Sequence, residues 1–232
     1  MPKHRVVTRD EWLSARKELL AKEKELTRQR DALSQLRREL PWVKVDEPYV
    51  FDTTEGKQSL SDLFEGRSQL VVYHFMFEPQ WTEGCKSCSF WADNFDRNVV
   101  HLHHRDVTLI AVSRAALEKL EAYRRRMGWT FRWVSSFGTQ FNHDYQATVT
   151  PEEVEQKTAV YNYAPSDWSG ETPGISVFFK DEEGAVYHTY SCYSRGLDMM
   201  NAAYHYLDLV PKGRDEAGLS YSMEWLRRRD QY

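Results

Sequence analysis

Two cysteines separated by two residues, Cys85 and Cys88, are the side chains of this sequence best suited to chemistry. A C-x-x-C pair either exchanges between dithiol and disulfide or binds a metal. The pair follows an apolar run at residues 70–77 and opens a helical pattern that continues from Phe90. Free N–H groups and the helix macrodipole stabilise a thiolate at a helix N-terminus. We therefore predict Cys85 as the nucleophile and Cys88, one turn later, as the resolving thiol. Lys86 adds a positive charge that favours the thiolate.

Zinc binding is the alternative use of the pair, because histidines follow it at positions 101, 103 and 104. A pair formed by His101 and His104 has two intervening residues, whereas zinc fingers have about three to five. The cysteines also open a helix whose aromatic side chains need a core. We therefore favour redox chemistry and predict neither a metal nor a cofactor.

The composition limits the partners of the chain. Its 31 basic and 35 acidic residues give a net charge of -4, which offers no electrostatic reason to bind nucleic acid or an anionic membrane. No signal peptide opens the sequence, and no apolar run approaches the roughly 18 residues of a spanning helix. Three cysteines are too few for a disulfide framework. These features predict a soluble cytoplasmic protein with no nucleic-acid or membrane partner.

The N-terminal residues 1–40 are predicted to form a helical extension. Thr8 and Glu11 match a capping box, and the leucines that follow recur at intervals of three, four and seven. Pro41 ends the pattern. A helix of this span is about 45 Å long, so part of it projects beyond a small domain. We expect a homodimer formed through this helix.

Residues 41–212 are predicted to form the main domain, and 213–232 a C-terminal tail with a short basic helix at 223–228. Strands and helices alternate along the main domain, at residues 70–77, 87–102, 107–113, 115–127 and 131–135. This order predicts a parallel sheet with right-handed crossovers. Within the second of these elements, Asp93 and Asp96 are predicted to face solvent.

The second half of the main domain begins with an irregular aromatic segment at 136–170, which we interpret as an insertion or lid facing the substrate. A β-hairpin over 174–180 and 185–190 follows, and then a helix at 197–209. Cys192, just after the hairpin, is predicted to be a buried, inert cysteine.

The order of these elements resembles the thioredoxin fold. That resemblance implies an α/β domain with a central mixed sheet flanked by helices, extended here by the N-terminal helix and by an insertion before the final hairpin. In that fold a cis-proline precedes the hairpin and faces the active-site disulfide. Thr172 and Pro173 stand at this position, so the resemblance implies a cis bond between them and adds both residues to the site.

The residues before the motif are similar to the Thr-x-x-Cys of peroxiredoxins, because Thr82 precedes Cys85 by three positions. This resemblance implies that the Thr82 hydroxyl helps to bind a peroxide. Arg114 and Arg195 are the candidates for the accompanying arginine.

The runs at 84–95, 105–108 and 127–138 resemble a bacterial family of thioredoxin-like proteins of unknown function, which implies a fold and no substrate. We predict a thiol-disulfide oxidoreductase acting on a protein or small-molecule disulfide, with an external dithiol as reductant. A thiol peroxidase of the peroxiredoxin type, acting on a peroxide, is the first alternative. A non-enzymatic redox sensor or partner-binding module is the second.

Overall fold

The computed structural model describes residues 4–232, which divide into two compact units on either side of the Pro41–Trp42 bond. The first unit is helix α1 (Arg9–Arg38). The predicted capping box at its start is confirmed: Thr8 N donates to the Glu11 carboxylate at 2.9 Å, and Glu11 N donates to the Thr8 hydroxyl at 3.3 Å. No described side chain of α1 is buried. Dimerisation through its leucines stays a prediction.

The second unit contains the remaining elements. Its strands are β1 (Val43–Lys44), β2 (Val50–Thr53), β3 (Gly56–Ser59), β4 (Gln69–His74), β5 (Val107–Ser113), β6 (Arg132–Ser135), β7 (Thr148–Val149), β8 (Val160–Tyr161), β9 (Ala164–Pro165), β10 (Gly170–Glu171), β11 (Gly174–Lys180) and β12 (Val186–Tyr193). Its α-helices are α2 (Lys86–Phe95), α3 (Val99–His104), α4 (Leu117–Met127), α5 (Phe141–Asp144), α6 (Pro151–Glu155) and α7 (Ala202–Leu207). Short 3₁₀ turns lie at Asp62–Phe64, Asp96–Asn98, Ser194–Met200 and Arg229–Gln231.

Eight strands form one mixed sheet in the order β1-β12-β11-β4-β5-β6-β2-β3. Strands β4, β5 and β6 are parallel, as the alternation of strands and helices predicts, and the β11–β12 hairpin adds antiparallel to β4. The cysteine pair follows the central strand β4, with parallel β5 on one side and the hairpin on the other. This arrangement is thioredoxin-like, which confirms the predicted fold class.

Side chains of β4 alternate between two cores, because successive residues of a strand point to opposite faces of a sheet. Tyr73 and Phe75 belong to the core that contains the apolar residues of α2 and α4. Leu70 and Val72 belong to the other core, with Phe141 of the inserted segment. The face that carries Tyr73 is therefore the face beneath the cysteine pair.

The predicted cis bond between Thr172 and Pro173 is wrong, since the peptide is trans. Trans is the more stable isomer of an X–Pro bond by about 0.5–1 kcal/mol, and the local hydrogen bonds accommodate it. Thr172 N donates to the Ala147 carbonyl at 3.0 Å, and its hydroxyl donates to the Gln146 carbonyl at 2.8 Å. These bonds hold the chain extended from β10 into β11.

The predicted basic helix at residues 223–228 is also wrong. This stretch forms turns, and Met223 has φ of 68°, in the left-handed region that interrupts a right-handed helix. Leu226 is buried, and the Trp225 ring packs edge-on against Phe90 of α2, with centroids 5.7 Å apart. Packing against the main domain therefore overrides the local helical pattern, and residues 213–232 do not form a free tail.

Asp96, which the helical pattern places in solvent, is in fact 4% exposed. Its Oδ1 accepts hydrogen bonds from Thr130 N at 2.6 Å, the Thr130 hydroxyl at 3.0 Å and Phe131 N at 3.0 Å. Asp93 likewise accepts a bond from the Trp129 indole at 2.7 Å. Both carboxylates bind the segment between α4 and β6, whose position no local pattern reveals.

We expect Asp96→Ala to lower the free energy of unfolding by about 3 kcal/mol, because it leaves the buried Phe131 N–H and the partly buried Thr130 N–H without an acceptor. Urea denaturation followed by tryptophan fluorescence measures the change. Asp167→Ala, at an exposed position, is the matched control and should shift the midpoint little. Equal stability of the two variants would contradict the structural role of Asp96.

Candidate active site

The loop between β4 and α2 places Cys85 immediately before the first residue of the helix. Cys85 N donates to the Met76 carbonyl at 3.1 Å, which returns the loop to the end of β4. The preceding Gly84 allows this close approach, since a Cβ there would lie 2.8 Å from the Phe75 ring and 2.9 Å from the Tyr123 ring. Cys85 is the N-cap of α2, and the free N–H groups of the first turn lie beside its sulfur.

The Cys85 thiol is half-buried and forms no disulfide, and its pKa lies below the ordinary value. The pKa of Cys85 is lowered to about 6, chiefly by hydrogen bonding from the Cys88 side chain, and burial opposes this effect. The backbone N–H groups of Cys88 and Ser87 and the Ser87 hydroxyl make smaller contributions to the same lowering of the pKa. The thiolate is therefore the main form of Cys85 at neutral pH.

The Cys88 thiol lies deeper, with 2% of its surface exposed. Burial raises its pKa well above the ordinary value, and donation to Cys85 raises it further. Met76 N donates to Cys88 Sγ at 3.4 Å, and hydrogen bonding with the Tyr73 hydroxyl also favours ionisation of Cys88. The pair is thus asymmetric: Cys85 is an anion and Cys88 is a neutral donor.

A cavity of about 300 Å³ adjoins the pair. Its wall is formed largely by apolar and aromatic side chains from β4, α2, the inserted segment, the turn after β12 and the C-terminal segment. The lining residues are Tyr73, Met76, Ser87, Cys88, Trp91, Tyr161, Pro173, Ser194, Arg195, Leu197, Asp198 and Met223. Pro173 therefore lies at the site in its trans form.

The C-terminal segment, defined here as residues 213–232, packs around the N-terminus of α2. Arg228 Nη2 donates to the Gly84 carbonyl at 2.8 Å, and its Nε donates to the Tyr123 hydroxyl at 2.8 Å. The Tyr123 hydroxyl also bonds the Ser89 hydroxyl, which donates to the Cys85 carbonyl. Arg228 thereby holds the backbone of Gly84 directly and that of Cys85 through the two hydroxyls.

Arg228→Ala should free the C-terminal segment and increase the access of reagents to Cys85. We expect a several-fold faster alkylation of Cys85 by iodoacetamide, measured above pH 8 where the thiolate is fully formed. Arg227→Ala, which removes the neighbouring exposed arginine, is the control and should react like the wild type. Identical alkylation rates in the wild type and both variants would show that the C-terminal segment does not restrict access to Cys85.

The other predicted site residues lie in different places. Thr82 is exposed and lines a separate depression with Lys119 and Arg126. Lys86 turns towards the C-terminal segment, where its Nζ donates to the Glu224 carbonyl at 3.0 Å. Thr172 is buried in the hydrogen bonds described above.

The two candidate arginines are each paired with a carboxylate. Arg114 binds Glu171 at 2.9 Å, and burial raises the pKa of that glutamate. Arg195 binds Asp198 at 2.7 Å at the wall of the cavity. The structure therefore brings together Cys85, Cys88, Pro173 and Arg195, and it leaves Thr82 and Arg114 elsewhere.

His101, His103 and His104 lie on α3, beyond the end of α2. Among residues 4–232, no group of three or more histidine, cysteine or acidic side chains is arranged to hold a metal ion. Over the same residues, no helix has the length and apolarity needed to cross a bilayer.

A model of a bacterial protein family of unknown function, DUF899, matches residues 1–232. The chain belongs to the DUF899 family. No curated protein is significantly similar to this DUF899 chain in sequence.

The chain is also similar to solved structures, at low sequence identity. A cysteine-to-serine mutant of peroxiredoxin Q from Xanthomonas campestris is 12% identical, with a TM-score of 0.47, over 72% of this chain and 98% of its own. Peroxidoxin BcpB from Mycobacterium tuberculosis is 11% identical, with a TM-score of 0.47, over 70% of this chain and 94% of its own.

Sequence reasoning missed three residues of this DUF899 site. Tyr73 was detectable, because strand alternation puts it on the same face as Phe75 and therefore under the motif. Tyr161 lies in the irregular segment, and Arg228 lies far along the chain in a stretch with a misleading helical pattern. No local signal connects either of the last two with Cys85.

Proposed function

We propose that this protein is a thiol-disulfide oxidoreductase that cycles between a Cys85/Cys88 dithiol and disulfide. The observation that carries the proposal is the asymmetry of the pair, in which a stabilised Cys85 thiolate receives a hydrogen bond from a buried Cys88 thiol. A low-pKa thiolate is both the attacking nucleophile and a good leaving group in such exchange.

The reaction has two steps. Cys85 Sγ attacks one sulfur of a substrate disulfide, forms a mixed disulfide and releases the other substrate sulfur as a thiolate. Cys88 then loses its proton and attacks Cys85 Sγ, which closes the Cys85–Cys88 disulfide and releases the second substrate thiolate. The substrate gains two electrons, and an external dithiol restores the pair.

A thiol peroxidase is the second candidate, favoured by the half-buried position of Cys85 beneath the C-terminal segment. A small hydroperoxide reaches such a thiolate more readily than a protein disulfide does. Cys85 would then attack the peroxide oxygen, forming a sulfenic acid and releasing an alcohol or water. Cys88 would condense with the sulfenic acid, forming the disulfide and a water molecule.

The alkylation of Cys85 across the pH range tests the nucleophile. We expect the rate to rise with a midpoint near the pKa of about 6. Trypsin cleaves after Lys86 and separates the two cysteines, so mass spectrometry reports each thiol independently. Cys192 provides the internal comparison. A midpoint at the ordinary value of 9.0 would contradict the proposal.

Turnover assays distinguish the candidate functions. Purified protein is supplied with a dithiol donor and with a protein disulfide, a small disulfide or a hydroperoxide. Preferential turnover of either disulfide supports the oxidoreductase, and preferential turnover of the hydroperoxide supports the peroxidase. Oxidation without catalytic turnover would favour the redox sensor.

A further inference from the structure

The cavity beside the cysteine pair meets only the second cysteine. Within the described part of the chain, Cys88 lines its wall and Cys85 does not. In the reduced protein Cys88 is a neutral thiol, so an oxidised substrate held in the cavity would face a poor nucleophile. In the oxidised protein Cys88 Sγ is one half of a disulfide, and a thiolate held in the cavity would face that sulfur. The cavity is therefore suited to a reductant.

The C-terminal segment covers Cys85, which also favours attack of the reductant on Cys88. Arg228 bonds the carbonyl of Gly84, and Lys86 bonds the carbonyl of Glu224, so the C-terminal segment is attached on both sides of Cys85. Met223 of the same segment forms part of the cavity wall beside Cys88. The two sulfurs are thus reached from different surroundings.

We propose that the cavity is the binding site for the reductant, and that this reductant is a small uncharged molecule with two thiols on an apolar carbon chain. One of its thiols attacks Cys88 Sγ and expels Cys85. The inference rests on the proposed function, because it requires the Cys85–Cys88 disulfide to form. It adds the chemical class of the electron donor and the sulfur that the donor attacks.

The donor reduces the Cys85–Cys88 disulfide in two exchange steps. One thiolate of the donor bonds to Cys88 Sγ, the Cys85–Cys88 bond breaks, and Cys85 leaves as a thiolate. The second donor thiolate attacks the donor sulfur bound to Cys88, closes a cyclic disulfide and releases Cys88, which takes up a proton. The donor loses two electrons and two protons, of which one stays on Cys88 and the other passes to solvent.

The surroundings of the sulfurs favour this direction of attack. Expulsion of Cys85 places the charge on the sulfur that the Ser87 and Cys88 N–H groups stabilise. Attack on Cys85 would instead expel the buried Cys88. In the second step Cys88 is released next to the Met76 N–H, at 3.4 Å, and the Tyr73 hydroxyl, which stabilise the departing sulfur.

The lining of the cavity selects an uncharged ligand. Its charged residues, Arg195 and Asp198, are 2.7 Å apart and paired, and Asp198 also binds Arg214 at 3.0 Å. A ligand with several carboxylates would lose hydration without gaining a free cation. A volume of about 300 Å³ suits one small molecule, so the second thiol must come from that molecule.

Trapping identifies the attacked sulfur. The protein is oxidised with diamide and mixed with phenylmethanethiol, an apolar monothiol that cannot close a ring, in the presence of iodoacetamide. We expect the thiol adduct on Cys88, in the tryptic peptide 87–97, and the alkyl group on Cys85, in the peptide 68–86. An adduct on Cys85 with Cys88 alkylated would overturn the inference.

The class of donor is tested by the rate of reduction of the oxidised protein. Dihydrolipoamide should reduce it at least about tenfold faster than glutathione at equal thiolate concentration. Met223→Trp, which narrows the cavity, should lower the rate of reduction by dihydrolipoamide about tenfold. Met199→Trp, at an exposed position outside the cavity wall, is the matched control and should react like the wild type.

The outcomes separate the two proposals. If diamide forms no Cys85–Cys88 disulfide, the proposed function and the inference both fail. If the disulfide forms but the adduct lies on Cys85, only the inference fails. Equal rates for glutathione and dihydrolipoamide, or equal rates for Met223→Trp and Met199→Trp, would also overturn it while leaving the proposed function intact.

Discussion

Cys85→Ser is expected to reduce turnover by at least about a thousandfold, because it removes the only stabilised thiolate of the proposed reaction. Serine keeps the size of the side chain but has no comparable acidity at neutral pH. Steady-state turnover of the substrate class identified by the assays above, with a dithiol donor in excess, measures the loss.

Cys88→Ser is the informative companion of this variant. It keeps the proposed nucleophile Cys85 and a hydroxyl donor but removes the proposed resolving sulfur, so one equivalent of substrate should react and leave Cys85 as a mixed disulfide or a sulfenic acid. Mass spectrometry detects that adduct. Full turnover by Cys85→Ser would exclude Cys85 as the nucleophile, and full turnover by Cys88→Ser would exclude Cys88 as the resolving thiol.

Cys88→Ala should raise the pKa of Cys85 from about 6 by about one to two units. The Cys88 thiol is the largest of the influences that lower this pKa, and a hydrogen bond to a charged group stabilises it by about 1.5–3 kcal/mol. The midpoint of alkylation across the pH range measures the shift directly.

Two variants control this measurement. Cys88→Ser retains a donor and should give a smaller shift than Cys88→Ala, whereas Cys192→Ala removes a cysteine outside the pair and should give none. An unchanged midpoint in Cys88→Ala would assign the acidity of Cys85 to the helix N-terminus alone, and it would remove the thiol-to-thiolate hydrogen bond from the mechanism.

Most of the sheet could be predicted from the sequence, because its central strands are continuous apolar runs separated by amphipathic helices. Strand β5 has the predicted bounds of 107–113, and α4 ends at Met127 with Gly128 as its left-handed cap. These features depend on local side-chain periodicity and on one glycine conformation. They require no knowledge of distant contacts.

Predictions failed where distant contacts outweigh local preference. Asp96 has a solvent-facing helical pattern, yet it binds backbone groups 34 and 35 residues away. The cis bond at Pro173 was inferred from resemblance alone, and the hydrogen bonds of Thr172 accommodate the trans form. The helix expected at 223–228 is replaced by turns whose side chains pack on α2.

The candidate site divides in the same way. The sequence by itself determined that Cys85 and Cys88 lie at the N-terminus of a helix, because a helix start and a spacing of one turn are local properties. Only the tertiary structure decided the depth of each sulfur, the cavity beside Cys88 and the attachment of Arg228 at Gly84. These features depend on contacts between segments up to 144 residues apart. Packing of the whole domain sets such contacts, so no local sequence pattern predicts them.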